Sequence, residues 1–115
     1  MKTLDNIQLP IRIRSAVQEA ATRLKAELPV SQVILFGSQA RGQAEPDSDI
    51  DLLVLTTCPV TREIKDKIGD ILFEIDLKDD VILTSITVHQ KRWEQPVVKI
   101  LPLYQSIQKE GVQVA

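Results

Sequence analysis

The spacing of apolar residues along the chain switches between two periods, and each period predicts one kind of element. After Pro10 the apolar residues recur every three or four positions, as on one face of a helix that should end before Pro29. The same spacing follows Thr61, a suitable N-cap, and gives way to a polar stretch at residues 76–80. We therefore predict two long amphipathic helices, the second of which ends at this polar stretch.

Short apolar runs rich in β-branched residues lie between and after these helices, and they predict buried strands at residues 32–36, 49–55 and 81–88. The smaller predicted features are a frayed lead-in at residues 1–9, helical turns at 38–41 and 90–95, a loop at 43–48 that contains Pro46, a helix at 103–109 and an edge strand at 112–114. This order predicts an α+β (α/β) fold, with helices mainly on one face of a small mixed sheet. A chain of 115 residues is long enough for one domain, which we expect to span residues 1–115.

The composition narrows the possible classes of function. A net charge of −2 and a pI near 5.4 argue against general nucleic-acid binding, which needs a basic surface to neutralise phosphates. Cys58 is the only cysteine, which excludes an internal disulfide and fits a reducing compartment. The first residues lack a signal-peptide core, and no stretch approaches the roughly 20 apolar residues of a membrane span. We therefore expect a cytoplasmic protein with no membrane segment.

The candidate chemistry lies between residues 33 and 55, where two predicted strands flank a polar loop. Gly37 and Ser38 end the first strand, where a glycine lets the backbone approach a ligand and a serine offers a hydroxyl to an anion. Asp49 and Asp51 stand two apart at the start of the second strand, so their side chains point the same way. Two adjacent carboxylates repel each other unless a cation compensates them, and Mg²⁺ prefers such ligands. The pattern predicts a site for Mg²⁺ and the phosphates of a nucleoside triphosphate.

The sequences GSQARG and SDIDLLV in this stretch resemble the motif of minimal nucleotidyltransferases, single-domain members of the DNA polymerase beta-type superfamily. The ending KRWEQPVVKILPLYQSIQKEGVQV resembles the tail of the same proteins. The resemblance implies Mg²⁺-dependent transfer of a nucleotidyl group, commonly AMP from ATP, to a hydroxyl. It also implies a HEPN-type toxin as partner, with the protein acting as its antitoxin by modifying a tyrosine of that toxin.

The resemblance assigns a role to each residue that matches the motif. Gly37 and Ser38 correspond to the pair that holds the triphosphate, and Arg41 to a basic position near it. Asp49 and Asp51 correspond to the first two of three metal carboxylates, in a site that takes two Mg²⁺ ions.

The third carboxylate is expected on the next strand, and there this sequence departs from the pattern. Asp80 is the best candidate, although it stands at the very start of the predicted strand. In a different register, Leu83 or Ser85 would occupy the position and the third acid would be missing. The catalytic and metal residues are therefore predicted to be Asp49, Asp51 and Asp80.

Two other readings remain open at the level of the sequence. The protein could neutralise its partner by binding alone, with little or no catalysis, or it could modify RNA or a small molecule. The apolar stretch at residues 97–103 could belong to the core or face a partner.

Overall fold

The computed structural model of the protein describes residues 1–45 and 47–115, so that Pro46 of the predicted loop lies outside the described residues. Its strands are β1 (Lys2–Thr3), β2 (Val30–Phe36), β3 (Ile50–Thr56), β4 (Leu83–His89) and β5 (Val112–Gln113). Its helices are α1 (Ile11–Glu27), α2 (Ser38–Arg41), α3 (Arg62–Asp79), α4 (Gln90–Trp93), α5 (Pro96–Lys99) and α6 (Pro102–Glu110), and Leu4–Asn6 form a 3-10 turn.

The strands form one mixed sheet in the order β1-β5-β2-β3-β4. Strand β2 runs antiparallel to both β3 and β5, whereas β3 pairs in parallel with β4, and β1 in parallel with β5. Parallel neighbours need a crossover connection, and α3 provides it between β3 and β4. The predicted mixed sheet is confirmed.

The long helices α1 and α3 cover one face of the sheet and form the larger core with it. Ile50, Leu52 and Val54 of β3 point into this core and are fully buried. Leu53 and Leu55 point to the other face, where they pack with Trp93 of α4 and Ile107 of α6 in a smaller cluster. Because side chains alternate along a strand, the odd-numbered residues of β3 face the side of the sheet that carries the short helices.

The second long helix is longer than its sequence pattern predicts. Thr61 caps its start by accepting a hydrogen bond from the backbone N–H of Ile64 at 3.2 Å, as expected of an N-cap. The helix continues through the polar stretch and ends only at Asp80, which adopts left-handed geometry with φ of 54°. The predicted break at residues 76–80 is therefore wrong, since polar side chains on an exposed helix face do not end a helix.

The two ends of the chain are tied together in the sheet. β1 pairs with β5, and Leu4 of the predicted frayed lead-in is buried. β5 lies between β1 and β2, so the predicted edge strand at residues 112–114 is an interior strand. Both differences arise because short terminal segments carry too few residues to show a period. No helix among the described residues is long and apolar enough to cross a membrane.

Candidate active site

A tight turn after β2 forms one half of the candidate site, and we call residues 37–42 the glycine turn. Gly37 has φ of 79° and Gly42 has φ of 70°, a region that glycine enters without a Cβ penalty. Between them, Ser38 begins α2, whose first backbone N–H groups have no partner within the helix. The predicted helical turn at 38–41 is confirmed, and Ser38 is half-buried beside Gly37.

Gly37 is required for a second reason besides its backbone angle. A Cβ atom at this position would overlap Oδ2 of Asp51, which lies directly against the glycine. The structure therefore brings Gly37 and Asp51 together, although they are separated by the polar loop in sequence. One carboxylate oxygen of the predicted metal pair faces the turn predicted to hold phosphates.

Arg41, at the end of α2, is fixed by the tail of the chain. Its NH1 group donates to Oε2 of Glu110 at 3.2 Å, and its Nε donates to Oε1 of Gln43 at 3.3 Å. The guanidinium and the Glu110 carboxylate are 39% and 30% exposed, so that this ion pair is partly shielded from water. Arg41, itself part of the glycine turn, is thus held in place by a residue 69 positions away.

Asp49 and Asp51 flank Ile50, and the three residues show the alternation expected at the mouth of a strand. Ile50 is fully buried against the long helices, whereas Asp49 is exposed and Asp51 is half-buried. Asp51 pairs with Phe36 on β2, at the point where β2 runs into the glycine turn. The side chain of Asp51 therefore lies on the face opposite α1 and α3.

The neighbour of Asp51 on the other side is Thr84 of β4, and we call this junction of β3 and β4 the carboxylate seam. The register pairs Ile50 with Leu83, Asp51 with Thr84, and Leu52 with Ser85. The hydroxyl of Thr84 donates to Oδ1 of Asp51 at 2.7 Å. Neither Leu83 nor Ser85, the two alternatives considered from the sequence, occupies the position beside Asp51.

Asp80 lies away from the carboxylate seam, contrary to the prediction that it completes the metal ligands. It ends α3, three positions before β4 begins, and its side chain is fully exposed. Its backbone carbonyl accepts a 2.7 Å hydrogen bond from Arg12, whose guanidinium also lies 3.7 Å from the carboxylate. Asp80 is tied to Arg12 of α1, and among residues 1–45 and 47–115 it forms no group of three side chains suited to hold a metal ion.

A different carboxylate of α3 lies near the strand mouth. Oδ1 of Asp76 accepts a 2.9 Å hydrogen bond from the backbone N–H of Leu83, where β4 begins. Burial raises the pKa of Asp76 above its ordinary value; the bond from Leu83 opposes this shift, and the negative charge of Asp49 adds to it. Asp76 is therefore close enough to Asp49 for the two charges to interact.

The carboxylates present fit a cation that takes only part of its coordination from the protein. Across residues 1–45 and 47–115, no group of three or more His, Cys, Asp or Glu side chains is suited to hold a metal ion. Mg²⁺ commonly takes one or two carboxylates and fills its shell with water and substrate phosphates. Asp49 and Asp51 supply that number, and the free oxygen of Asp51 faces the glycine turn.

Three residues that the sequence analysis did not select contribute to the site: Thr84, Glu110 and Asp76. The alternation along β4 contained a signal for Thr84, because a buried Leu83 places the next residue on the opposite face. Nothing local indicates Glu110 or Asp76, since each reaches the site through packing of a distant element.

Comparison with known proteins gives matches in sequence. The family model described as a nucleotidyltransferase domain matches residues 17–110. A candidate protein adenylyltransferase of Methanocaldococcus jannaschii is 38% identical over 74 residues, which are 64% of this chain and 73% of that protein.

Two solved structures share the fold. A candidate minimal nucleotidyltransferase aligns with a TM-score of 0.60 at 25% identity, over 91% of this chain and 96% of that one. A complex of a tri-AMPylated Shewanella oneidensis HEPN toxin with an MNT antitoxin aligns with a TM-score of 0.55 at 17% identity, over 89% of this chain and 71% of that one. These likenesses confirm the predicted fold.

Proposed function

Because this chain belongs to the nucleotidyltransferase domain family and is thereby a transferase enzyme, we propose that it moves AMP from ATP to a hydroxyl group. The observation that carries the proposal is the contact between Gly37 and Oδ2 of Asp51. It joins a turn suited to phosphates and a carboxylate suited to Mg²⁺ in one place. A surface turn and a solvated acidic pair would have no reason to meet in this way.

In the proposed reaction, Ser38 and the free N–H groups of the glycine turn hold the β and γ phosphates. Asp49 and Asp51 would bind Mg²⁺, which neutralises the phosphate charge as the reaction proceeds. The acceptor oxygen forms a bond to the α phosphorus, the bond from that phosphorus to the bridging oxygen breaks, and pyrophosphate leaves. The acceptor proton passes to solvent. Arg41, held by Glu110, adds a positive charge beside the triphosphate.

The acceptor that we propose is a hydroxyl of a HEPN-type toxin, which makes this protein an antitoxin. Two likenesses support the proposal: the relative named as a candidate protein adenylyltransferase, and the complex of an AMPylated HEPN toxin with an MNT antitoxin. The free Cys58 fits the reducing cytoplasm in which such a pair would act.

The test is transfer of label to the protein encoded beside this one. ATP labelled at the α phosphate, with Mg²⁺, should label the partner, whereas ATP labelled at the γ phosphate should not. The Asp49→Asn/Asp51→Asn variant should give no label, and Asp47→Asn, which changes an exposed loop carboxylate, should label as the wild type does. Label from the γ phosphate would indicate phosphoryl transfer and contradict the proposal, as would label on RNA alone.

A second candidate function, neutralisation of the partner by binding without transfer, is favoured by two observations. Thr84 stands beside Asp51 where a third carboxylate was expected. Large apolar side chains of the tail are exposed rather than in the core: Val97, Ile100, Leu101 and Leu103. This surface suits a protein partner. Under this function the Asp49→Asn/Asp51→Asn variant would still neutralise the partner, which transfer cannot explain.

A further inference from the structure

Thr84 is the residue of the carboxylate seam whose role the family resemblance leaves open. Its hydroxyl has one hydrogen, and two acceptors lie within reach: Oδ1 of Asp51 at 2.7 Å and the carbonyl oxygen of Ile50 at 3.4 Å. The short contact to a charged oxygen is the stronger one. The hydrogen is therefore committed to Asp51.

The two oxygens of Asp51 consequently have different surroundings. Oδ1 is occupied by Thr84, and Oδ2 lies against Gly37, where the missing Cβ leaves room for it. A carboxylate on a strand can otherwise rotate about its last bond, because that torsion is broad. The bond to Thr84 on one side and the glycine on the other fix the plane of the group.

We propose that Thr84 is a positioning residue that stands in the place of a third acidic ligand and directs Oδ2 of Asp51 toward the glycine turn. The inference rests on the proposed function, since it concerns how this site receives a cation and a triphosphate. Oδ2 is the oxygen offered to the nucleotide, and Oδ1 accepts the hydrogen bond of Thr84. The site therefore keeps Oδ2 of Asp51 as a ligand on the nucleotide side, and the uncharged hydroxyl of Thr84 lies on the other side of the carboxylate.

The first experiment measures binding of Mn²⁺ together with an ATP analogue whose bridge between the α and β phosphates resists cleavage. Thr84→Val removes the hydroxyl at nearly constant shape, and we expect it to weaken binding about tenfold, as for loss of a hydrogen bond to a charged group. Thr84→Ser keeps the hydroxyl and should bind within about twofold of the wild type. Titration calorimetry gives the three dissociation constants, and circular dichroism confirms that each variant is folded.

Thr87→Val is the matched control. It makes the same substitution on the same strand, but Thr87 pairs with Val54 and so belongs to the opposite face from Asp51. It should bind as the wild type does. If Thr84→Val fails to fold, Thr84→Ala takes its place, and the comparison with Thr84→Ser decides in the same way.

The possible outcomes separate this inference from the proposed function. A wild type that shows no cation-dependent nucleotide binding overturns both. A wild type that binds, together with a Thr84→Val variant that binds equally well, overturns the role of Thr84 alone. Loss of binding in Thr84→Ser as large as in Thr84→Val also overturns it, because the hydroxyl would then not be the cause.

A second variant tests whether Thr84 occupies a ligand position. Thr84→Asp places a further carboxylate against Asp51, so without a cation the two charges should repel and lower the thermal midpoint. Mn²⁺ should reverse that loss and bind more tightly than it binds the wild type, measured by calorimetry without nucleotide. An affinity for Mn²⁺ no higher than that of the wild type would show that position 84 does not face the cation.

Discussion

The glycine turn and the carboxylate seam meet at one contact, yet they are built in opposite ways. The glycine turn is local: within residues 37–42, two glycines with positive φ enclose a four-residue helix. The carboxylate seam is assembled from two parallel strands, and its central bond joins Asp51 to a residue 33 positions later. The turn therefore depends on residue types, whereas the seam depends on register. Substitutions in the glycine turn and in the carboxylate seam should therefore reduce stability or binding for different physical reasons.

The largest effect should come from the seam. Asp51→Asn should reduce AMP transfer about a thousandfold, because a metal ion supplies several kcal/mol to such reactions. Asp49→Asn should cost less, since Asp49 is exposed, whereas Asp51 lies directly against Gly37. Initial rates with α-labelled ATP measure both. Asp51→Asn should keep its thermal midpoint, because an amide oxygen still accepts from Thr84. Equal losses in the two variants would contradict the special position of Asp51.

The next effect tests the turn, through a pair of glycine substitutions. Gly37→Ala should lower the free energy of unfolding by about 2 kcal/mol or more, since its backbone angles lie in a region that other residues hardly enter and the added Cβ would also overlap Asp51. Gly42→Ala should lower the free energy of unfolding only by the strain of its left-handed backbone, because a Cβ there meets nothing within 4 Å. Urea unfolding measures both. Only Gly37→Ala should also abolish nucleotide binding, and similar behaviour of the two variants would refute the overlap.

A smaller effect is expected at Arg41, which links the turn to the tail. Arg41→Gln should weaken ATP binding three- to tenfold, a modest loss because the guanidinium is partly exposed. The loss should shrink as salt rises, because salt screens exposed charges. Arg62→Gln, which changes an exposed arginine at the start of α3, is the control. Equal affinity of Arg41→Gln and the wild type at low salt would remove Arg41 from the site.

The smallest effect concerns pH and Asp76, beneath the seam. Because burial raises the pKa of Asp76 from 3.8, the folded protein keeps this proton at pH values where the unfolded chain has lost it. This group therefore contributes most to stability at low pH, and its contribution falls as the pH rises through the raised pKa. Asp76→Asn removes that loss and can still accept the N–H of Leu83.

The measurement is the difference in thermal midpoint between Asp76→Asn and the wild type at several pH values. This difference should grow in favour of the variant as the pH rises above the ordinary pKa of 3.8, and it should level off above the raised pKa of Asp76. Asp70→Asn, which changes an exposed carboxylate of the same helix, is measured beside it as the reference variant. A difference for Asp76→Asn that is constant with pH would show that burial does not raise the pKa of the Asp76 carboxylate.

Short-range patterns along the chain are enough to predict several parts of this protein. Apolar spacing located the long helices and the strands β2, β3 and β4, and two glycines with a serine located the turn. Strand alternation, a local rule, predicts Asp49 and Asp51 on one face. The helix that precedes β4 is longer than its sequence pattern predicts, because the polar side chains from residue 76 onward do not interrupt the backbone hydrogen bonds.

The residue beside Asp51 can be identified only in the folded chain. Its neighbour is set by the parallel register of β3 and β4, and a shift of one residue exchanges the faces of a strand. That register depends on where α3 ends, which Asp80 fixes by adopting left-handed geometry. The pairing of Arg41 with Glu110 likewise exists only because the tail returns to the sheet as β5. Long-range pairing has no signature in a local pattern, so Thr84 rather than Asp80 became visible only in the folded chain.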